Sequence, residues 1–200
     1  GSYPRLDIIE INSGWSGQTL PEILMLAETL LPGNPGIIKG LLQNMLAHQL
    51  PDGSIDHQVG PNGPRTGHSA LPILVQLAAD LQPFLDDTAW FEEIHPRLLA
   101  FLKTWITLDA DSQLKMRELS HPVQLGVEFN SPQAGLLGSD LWIRLKSSDN
   151  ILVPALLLRE VTALFQITRL LQKEPELAWL EQVRELLKVH LERLWDDKTA

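Results

Sequence analysis

DNILVPALLLREVTALFQITRLLQKEPELAWLEQVRELLKVHLERLW, residues 149–195, is the stretch that decides the fold class. Its first half, about 150–172, is apolar on nearly every side and carries only three charges, Arg159, Glu160 and Arg169. Its second half, about 175–195, opens at Pro175 and carries Glu176, Glu181, Arg184, Glu185, Lys188, Glu192 and Arg193, with Asp196 just beyond. Apolar residues recur in both halves at intervals of three and four, the period of a helix. A helix that is apolar almost all round is buried, and one with a charged stripe faces water. The stretch therefore predicts a hairpin of one inner and one outer helix.

Working outward, the same pattern repeats. Leu20, Ile23, Leu24, Ala27, Leu30 and Leu31 predict a helix over about 20–31, with Pro21 in its first turn. A second helix covers about 35–49, with Asn34 as N-cap and Pro35 at the first position. A third covers about 69–82, with Asp80 as its single charge. A fourth covers about 87–108 and carries Asp87, Glu92, Glu93, Arg97 and Lys103. Proline disfavours helix in the residue before it, so His95-Pro96 is expected to kink or restart that helix. Trp90, Trp105, Trp179 and Trp195 fall on helical patterns and read as core; no stretch alternates as a core strand does.

The expected architecture is all-α. Three αα-hairpins, roughly 20–49, 69–108 and 150–195, form one helical domain, arranged as part of an α/α toroid. The connections within hairpins are short, and those between them, about 50–68 and 109–149, are long. In such a ring both long loops and the Gly14-Trp15 segment share one face. Loops on a rigid scaffold are where binding and catalysis concentrate.

Composition narrows the function. The chain has 200 residues, no cysteine, and a net charge of −9 from 16 basic and 25 acidic residues. It offers no thiolate nucleophile and no disulfide framework, and its charge opposes sequence-independent binding to nucleic acid. No apolar run is long enough to span a bilayer. No secretory leader is visible, so a cytoplasmic location is expected; Gly1-Ser2 reads as a cloning scar.

Two loops hold the candidate chemistry. LPDGSIDHQVGPNGPRTGHSALP, residues 50–72, opens on a Pro-Asp-Gly turn and crowds Asp52, Asp56, His57, Arg65 and His68 together. SHPVQLGVEFNSP, residues 120–132, places Glu128 among His121, Gln124, Phe129 and Asn130. Imidazole and amide groups suit hydrogen bonding to hydroxyls, and an aromatic face suits a sugar ring. Trp15 and Trp142 lie outside the helical patterns and are the better stacking candidates. The sequence lacks G-x-S-x-G, a phosphate-binding P-loop, G-x-G-x-x-G and H-E-x-x-H. No cofactor and no metal are expected.

Read in order, these motifs resemble the six-hairpin (α/α)6 glycosidases, which include trehalases, processing α-glucosidases and glycogen-debranching relatives. LLQNMLAHQLPDGSIDHQVG, residues 41–60, is similar to their helix followed by Q-x-x-DG-x-I-P-H. RTGHSALPILVQLAADL, residues 65–81, resembles the R-x-x-Q-P-P stretch that opens the next inner helix. HPRLLAFLKTWITLDAD, residues 95–111, resembles the H/Y-P-x-L-x-x-x-x-x-W outer helix. QLGVEFNSP, residues 124–132, is similar to E-S-G-W-D-N-S-P, and DNILVPALLLREVTALFQI, residues 149–167, to the V-D-L-N-A helix. LWDDKTA, the last seven residues, resembles L-W-D-E-x-x-G.

The resemblance implies a glycoside hydrolase acting on or binding an α-glucoside or oligosaccharide. Glu128 takes the place of the general acid, and Trp15, Asp52, His57, Arg65, His121, Gln124 and Asn130 fall in the substrate-binding set. These enzymes invert, and the two carboxyl groups of an inverting pair stand roughly 6.5–9.5 Å apart. The chain departs from the pattern at several places. Glu128 replaces an aspartate, Val127 a tryptophan, and Gly67-His68-Ser69 the Gln-Pro-Pro; Gly14-Trp15-Ser16 lacks the aspartate of W-D-S. Six helices are half of a twelve-helix ring, so the second carboxylate is expected outside these residues: either they are a fragment of a larger glycosidase, or a short relative completed by a homodimer or a complementary half-domain. A non-catalytic helical scaffold that binds a glycan or a protein is the competing expectation. A terpene-cyclase-like toroid fits less well, because aromatics are only 6% and Asp109-Ala110-Asp111 matches an acid cluster poorly.

Overall fold

The structure is a computed structural model that describes residues 17–60, 63–64, 66–121, 124 and 151–195. Among these residues the fold is all-α, with six α-helices. They are α1 (Leu20–Leu30), α2 (Pro35–Ala47), α3 (Leu74–Leu81), α4 (Thr88–Trp105), α5 (Leu152–Leu170) and α6 (Glu174–Leu194). α1 packs on α2 and α5 on α6, and α3 lies among α1, α2, α4 and α5.

Burial follows the charge pattern. Every residue of α3 is buried or half-buried, whereas α4 and α6 each turn a charged stripe to solvent. The core runs through Ile23, Leu42, Leu74, Leu77, Phe91, Phe101, Leu157, Leu164, Val183 and Leu187. Lys39, the only charge on α2, reaches across to Asp87 at 2.6 Å and lies 5.2 Å from the centre of the Trp90 ring. Asp87 is also the N-cap of α4, accepting from the Trp90 N–H at 3.0 Å.

Helix starts differ in how their orphan N–H groups are met. Thr19 and Glu22 form a reciprocal capping box at α1, with Thr19 N–H donating to Glu22 Oε2 at 2.9 Å. Asn34 does occupy the N-cap of α2, but its side chain makes no capping bond. α3 has no side-chain cap of its own either. Its Val75 and Gln76 N–H groups instead donate to the two oxygens of Glu160 on α5, at 2.8 and 2.9 Å. Glu160 is completely buried. Its burial pushes the carboxyl up from 4.5 to about 7, against the pull of those two N–H groups and of Arg159.

Three expectations need correcting. α4 continues through Pro96 without restarting. Pro96 and Glu92, whose carbonyl loses its helical partner, both face solvent, while Phe91, Ile94, His95 and Leu98 are anchored in the core. His95 is further held by a 2.8 Å bond between its Nε2 and Thr168 Oγ1 of α5. α3 begins at Leu74 rather than near 69, because Ser69 pairs with Asp56 in an isolated bridge. Trp195 is 61% exposed, so it is not core, unlike Trp90 and Trp105. Short strands also occur, none longer than three residues among those described. β1 (Gln18–Thr19), β2 (Gln58–Gly60) and β3 (Gly63–Pro64) form an antiparallel sheet with Gln18 opposite Val59 and Val59 opposite Pro64. β4 (Ile106–Leu108) and β5 (Leu114–Met116) form a separate ribbon. Strands this short show no alternation for a sequence reading to find.

Candidate functional site

The first long loop is built around two turns. At the first, Asp52 accepts from Ser54 N–H at 2.9 Å and Ser54 Oγ at 2.7 Å. These bonds hold the Asp52 carboxyl below its ordinary range. Gly53 sits at φ +90°, and a Cβ there would stand 2.7 Å from the Ala100 carbonyl oxygen. The Asp52 turn therefore lies flat against α4, with its carboxylate bonded within its own turn.

The second turn is organised by Asp56, which is only 5% exposed. Its oxygens accept from Gln58 N–H at 2.9 Å, Thr66 Oγ1 at 2.8 Å, Thr66 N–H at 3.1 and 3.2 Å, and Gly67 N–H at 2.6 Å. Burial opposes the charge, but the bonds from Gln58, Thr66 and Gly67 outweigh it and hold the carboxyl below its usual range. Backbone bonds from His57 N–H to the His68 carbonyl, 2.6 Å, and from Ala70 N–H to the Ile55 carbonyl, 2.7 Å, continue the closure.

The start of the second long loop meets this closure. The His68 and His121 rings stack with centroids 4.4 Å apart and planes 15° apart. His68 Nδ1 is 3.2 Å from Ser120 Oγ. Gln124, only 1% exposed, ties the two loops together. Its Oε1 accepts from Ser120 N–H (2.7 Å), Ser120 Oγ (3.1 Å) and His121 N–H (2.9 Å), and its Nε2 donates to the Ser69 carbonyl (2.8 Å).

His57 completes the group. It is 3% exposed, and its Nδ1 has no hydrogen-bond partner among the described residues. Burial lowers its pKa to about 4, against the attraction of Asp56 and with the help of His68 and His121. His121 is lowered by burial and then by His68. At neutral pH both His57 and His121 are therefore neutral imidazoles, able to accept as well as donate a hydrogen bond. Among the described residues no group of three or more His, Cys, Asp or Glu is placed to hold a metal ion.

The structure thus brings His57, His121 and Gln124 together, and sets Asp52 apart on the α4 side. Trp15, Arg65, Glu128 and Asn130 lie outside the described residues, as does Trp142. The sequence reading did not single out Ser120 or Ser69, nor give Asp56 and His68 a role of their own. A buried aspartate is not distinguishable from a solvated one by spacing alone, and Ser120 matters only once Gln124 folds back on it.

Two solved structures share this fold. One is an uncharacterized conserved protein from Thermus thermophilus, with a TM-score of 0.71 and 19% identity over 94% of this chain. The other is a GH63 mannosylglycerate hydrolase from the same organism, solved in complex with glucose, with a TM-score of 0.68 and 17% identity over 94% of this chain. At these identities the likeness shows the fold alone, a helical-hairpin fold. The matched region is 59% of each of those chains, so this chain spans about three fifths of their length. No protein-family model and no curated protein matches the sequence. No described helix is long and apolar enough to cross a membrane.

Proposed function

We propose that this chain is a glycoside-hydrolase-like domain that binds an α-glucoside or related oligosaccharide at the face where its two long loops meet. The observation that carries the reading is the convergence of neutral, buried His57 with the stacked pair His68 and His121 on a fold shared with a glycosidase. His57 and His121, held neutral in this way, match the paired donors and acceptors of sugar hydroxyls. Trp15, Arg65 and Asn130 would add to the binding surface, and the helical hairpins would form part of an α/α toroid.

In this reading Glu128 is the general acid that protonates the leaving glycosidic oxygen. A second carboxylate, supplied by a second copy or a complementary half-domain, would activate water on the opposite face of the sugar and give inversion. The reaction needs no cofactor, and the protein would work in the cytoplasm. Two measurements test the proposal. Glu128→Gln should abolish hydrolysis across a panel of α-glucosides while leaving the melting temperature unchanged, and wild-type rates in the variant would remove Glu128 from the mechanism. Light scattering with and without those glucosides should show an assembly larger than one chain.

A second reading, a non-catalytic scaffold for a glycan or protein partner, is favoured by the exposed apolar side chains of Met25, Val189 and Trp195. It predicts sugar or partner binding without turnover.

A further inference from the structure

Asp56 makes no contribution to the chemistry proposed above, yet it has the most heavily bonded carboxylate among the described residues. A buried charge is retained only when several donors compensate its lost hydration. Here the donors are three backbone N–H groups and one hydroxyl, at 2.6–3.2 Å. With all of these bonds directed inward, Asp56 serves the loop itself.

What those bonds fix is specific. Gln58 N–H follows His57 in the chain, and Gly67 N–H precedes His68. Gly67 stands at φ +68°, a conformation that side chains rarely adopt, and it turns the chain back toward the bridge between Asp56 and Ser69. One carboxylate thus pins the backbone beside both imidazoles, reaching Gly67 eleven positions along the chain. Thr66 Oγ1 serves the same end twice, donating to Asp56 and accepting from His68 N–H at 3.2 Å. On the other side Gln124 fixes Ser120 and His121 against Ser69. The stacked pair is the seam between the loop closed by Asp56 and the loop that Gln124 ties to Ser69.

We infer that Asp56 is the positioning residue of the histidine wall: it sets His57 and His68 in register with His121 and so determines whether the wall can grip a sugar. The inference rests on the carbohydrate reading for its ligand, but not for its geometry. Binding sites tolerate little displacement of their contacting groups, so a loosened register should weaken sugar binding about tenfold or more.

The test uses imidazole NMR signals of the whole chain, each assigned by single histidine substitutions. Asp56→Asn keeps the shape and removes the charge. Thr66→Val removes one hydroxyl and leaves the carboxylate, and it carries the test if Asp56→Asn does not fold. In both variants the His57, His68 and His121 signals should move, while His95, bonded to Thr168, and His190 on α6 stay at their wild-type positions. Unmoved signals from the three wall residues would overturn the inference, and so would equal movement of all five, which marks general loosening. Glucose is then titrated against the same signals. Loss of at least about tenfold in affinity in the variants supports the role, and wild-type affinity in them overturns it. A wild-type wall that does not respond to glucose would refute the carbohydrate reading alone, and the ligand-free spectra would still decide the role of Asp56.

Discussion

Replacing Glu160 by glutamine keeps the side chain's shape and exchanges one carboxylate oxygen for an amide nitrogen. In the wild type both oxygens accept from the first turn of α3. The variant leaves one of those N–H groups facing a donor, at a cost of about 1–3 kcal/mol. The proton linkage is the sharper signature. Glu160 is fully buried, and its pKa rises from 4.5 in the unfolded chain to about 7 in the fold. Between those values the folded state holds a proton that the unfolded state has released. Stability conferred by the protonated group is therefore complete below pH 4.5 and is lost as pH rises to about 7. At about 1.4 kcal/mol for each tenfold change in proton concentration, the loss across that window is about 3 kcal/mol. The remaining titratable groups are common to both proteins, so the difference between them reports on Glu160 and its interactions with Arg159 and Asp80. Urea unfolding followed by tryptophan fluorescence, at pH steps from 4 to 8, should show the stability of the wild type relative to the variant falling by about 3 kcal/mol across the window, so that the advantage vanishes or reverses by its upper end. Parallel stability profiles would refute the reasoning, because Glu160 would then titrate as an ordinary carboxyl despite its burial.

Single contacts elsewhere are testable in the same way. Gly53→Ala puts a Cβ at φ +90° against the Ala100 carbonyl and should cost about 2 kcal/mol; a variant that melts with the wild type in calorimetry would show that the turn does not press on α4. Thr168→Val deprives His95 Nε2 of its partner and should cost about 2 kcal/mol, while Thr168→Ser should recover most of it; equal costs for the two in urea unfolding would dismiss the hydrogen bond. Trp105→Ala should cost about 4 kcal/mol in the same assay, whereas Trp195→Ala should stay within about 0.5 kcal/mol of wild type; comparable losses would contradict their opposite burial.

Much of the helical framework was legible because burial imposes a period on sequence. The apolar run of α5 and the charged stripe of α6 identify a hairpin before any coordinate is seen, and the predicted bounds lie within three residues of the observed ones. Lys39, the weakest point in the charge pattern, is explained only by Asp87, which is 48 residues away. Pro96 does not restart its helix, because a local preference is overridden by the packing of the residues around it. The capping box at Thr19 and Glu22 was readable from its four-residue spacing and was missed, whereas the cap supplied by Glu160 has no local signal.

The histidine wall was half legible. His57, His121 and Gln124 stand out as polar residues in long loops, and the structure does gather them. Their division of labour could not be read. Gln124 and Asp56 have the residue types expected of ligand contacts, yet their hydrogen bonds run inward to the backbone. Partner geometry, rather than burial, separates His57, whose Nδ1 has no partner among the described residues, from Asp56, whose bonds all turn inward.

The cap on α3 also bears on the order in which the molecule can be completed. Val75 and Gln76 receive their acceptor from a residue 85 and 84 positions further along the chain, respectively. During vectorial synthesis the first turn of α3 must therefore remain hydrated, or fray, until the segment containing Glu160 has been made and has folded onto it. The N-terminal helices can pack early, but the start of the central one is sealed late. A chain halted before residue 160 should expose that end of its core, where a chaperone or a protease would find it.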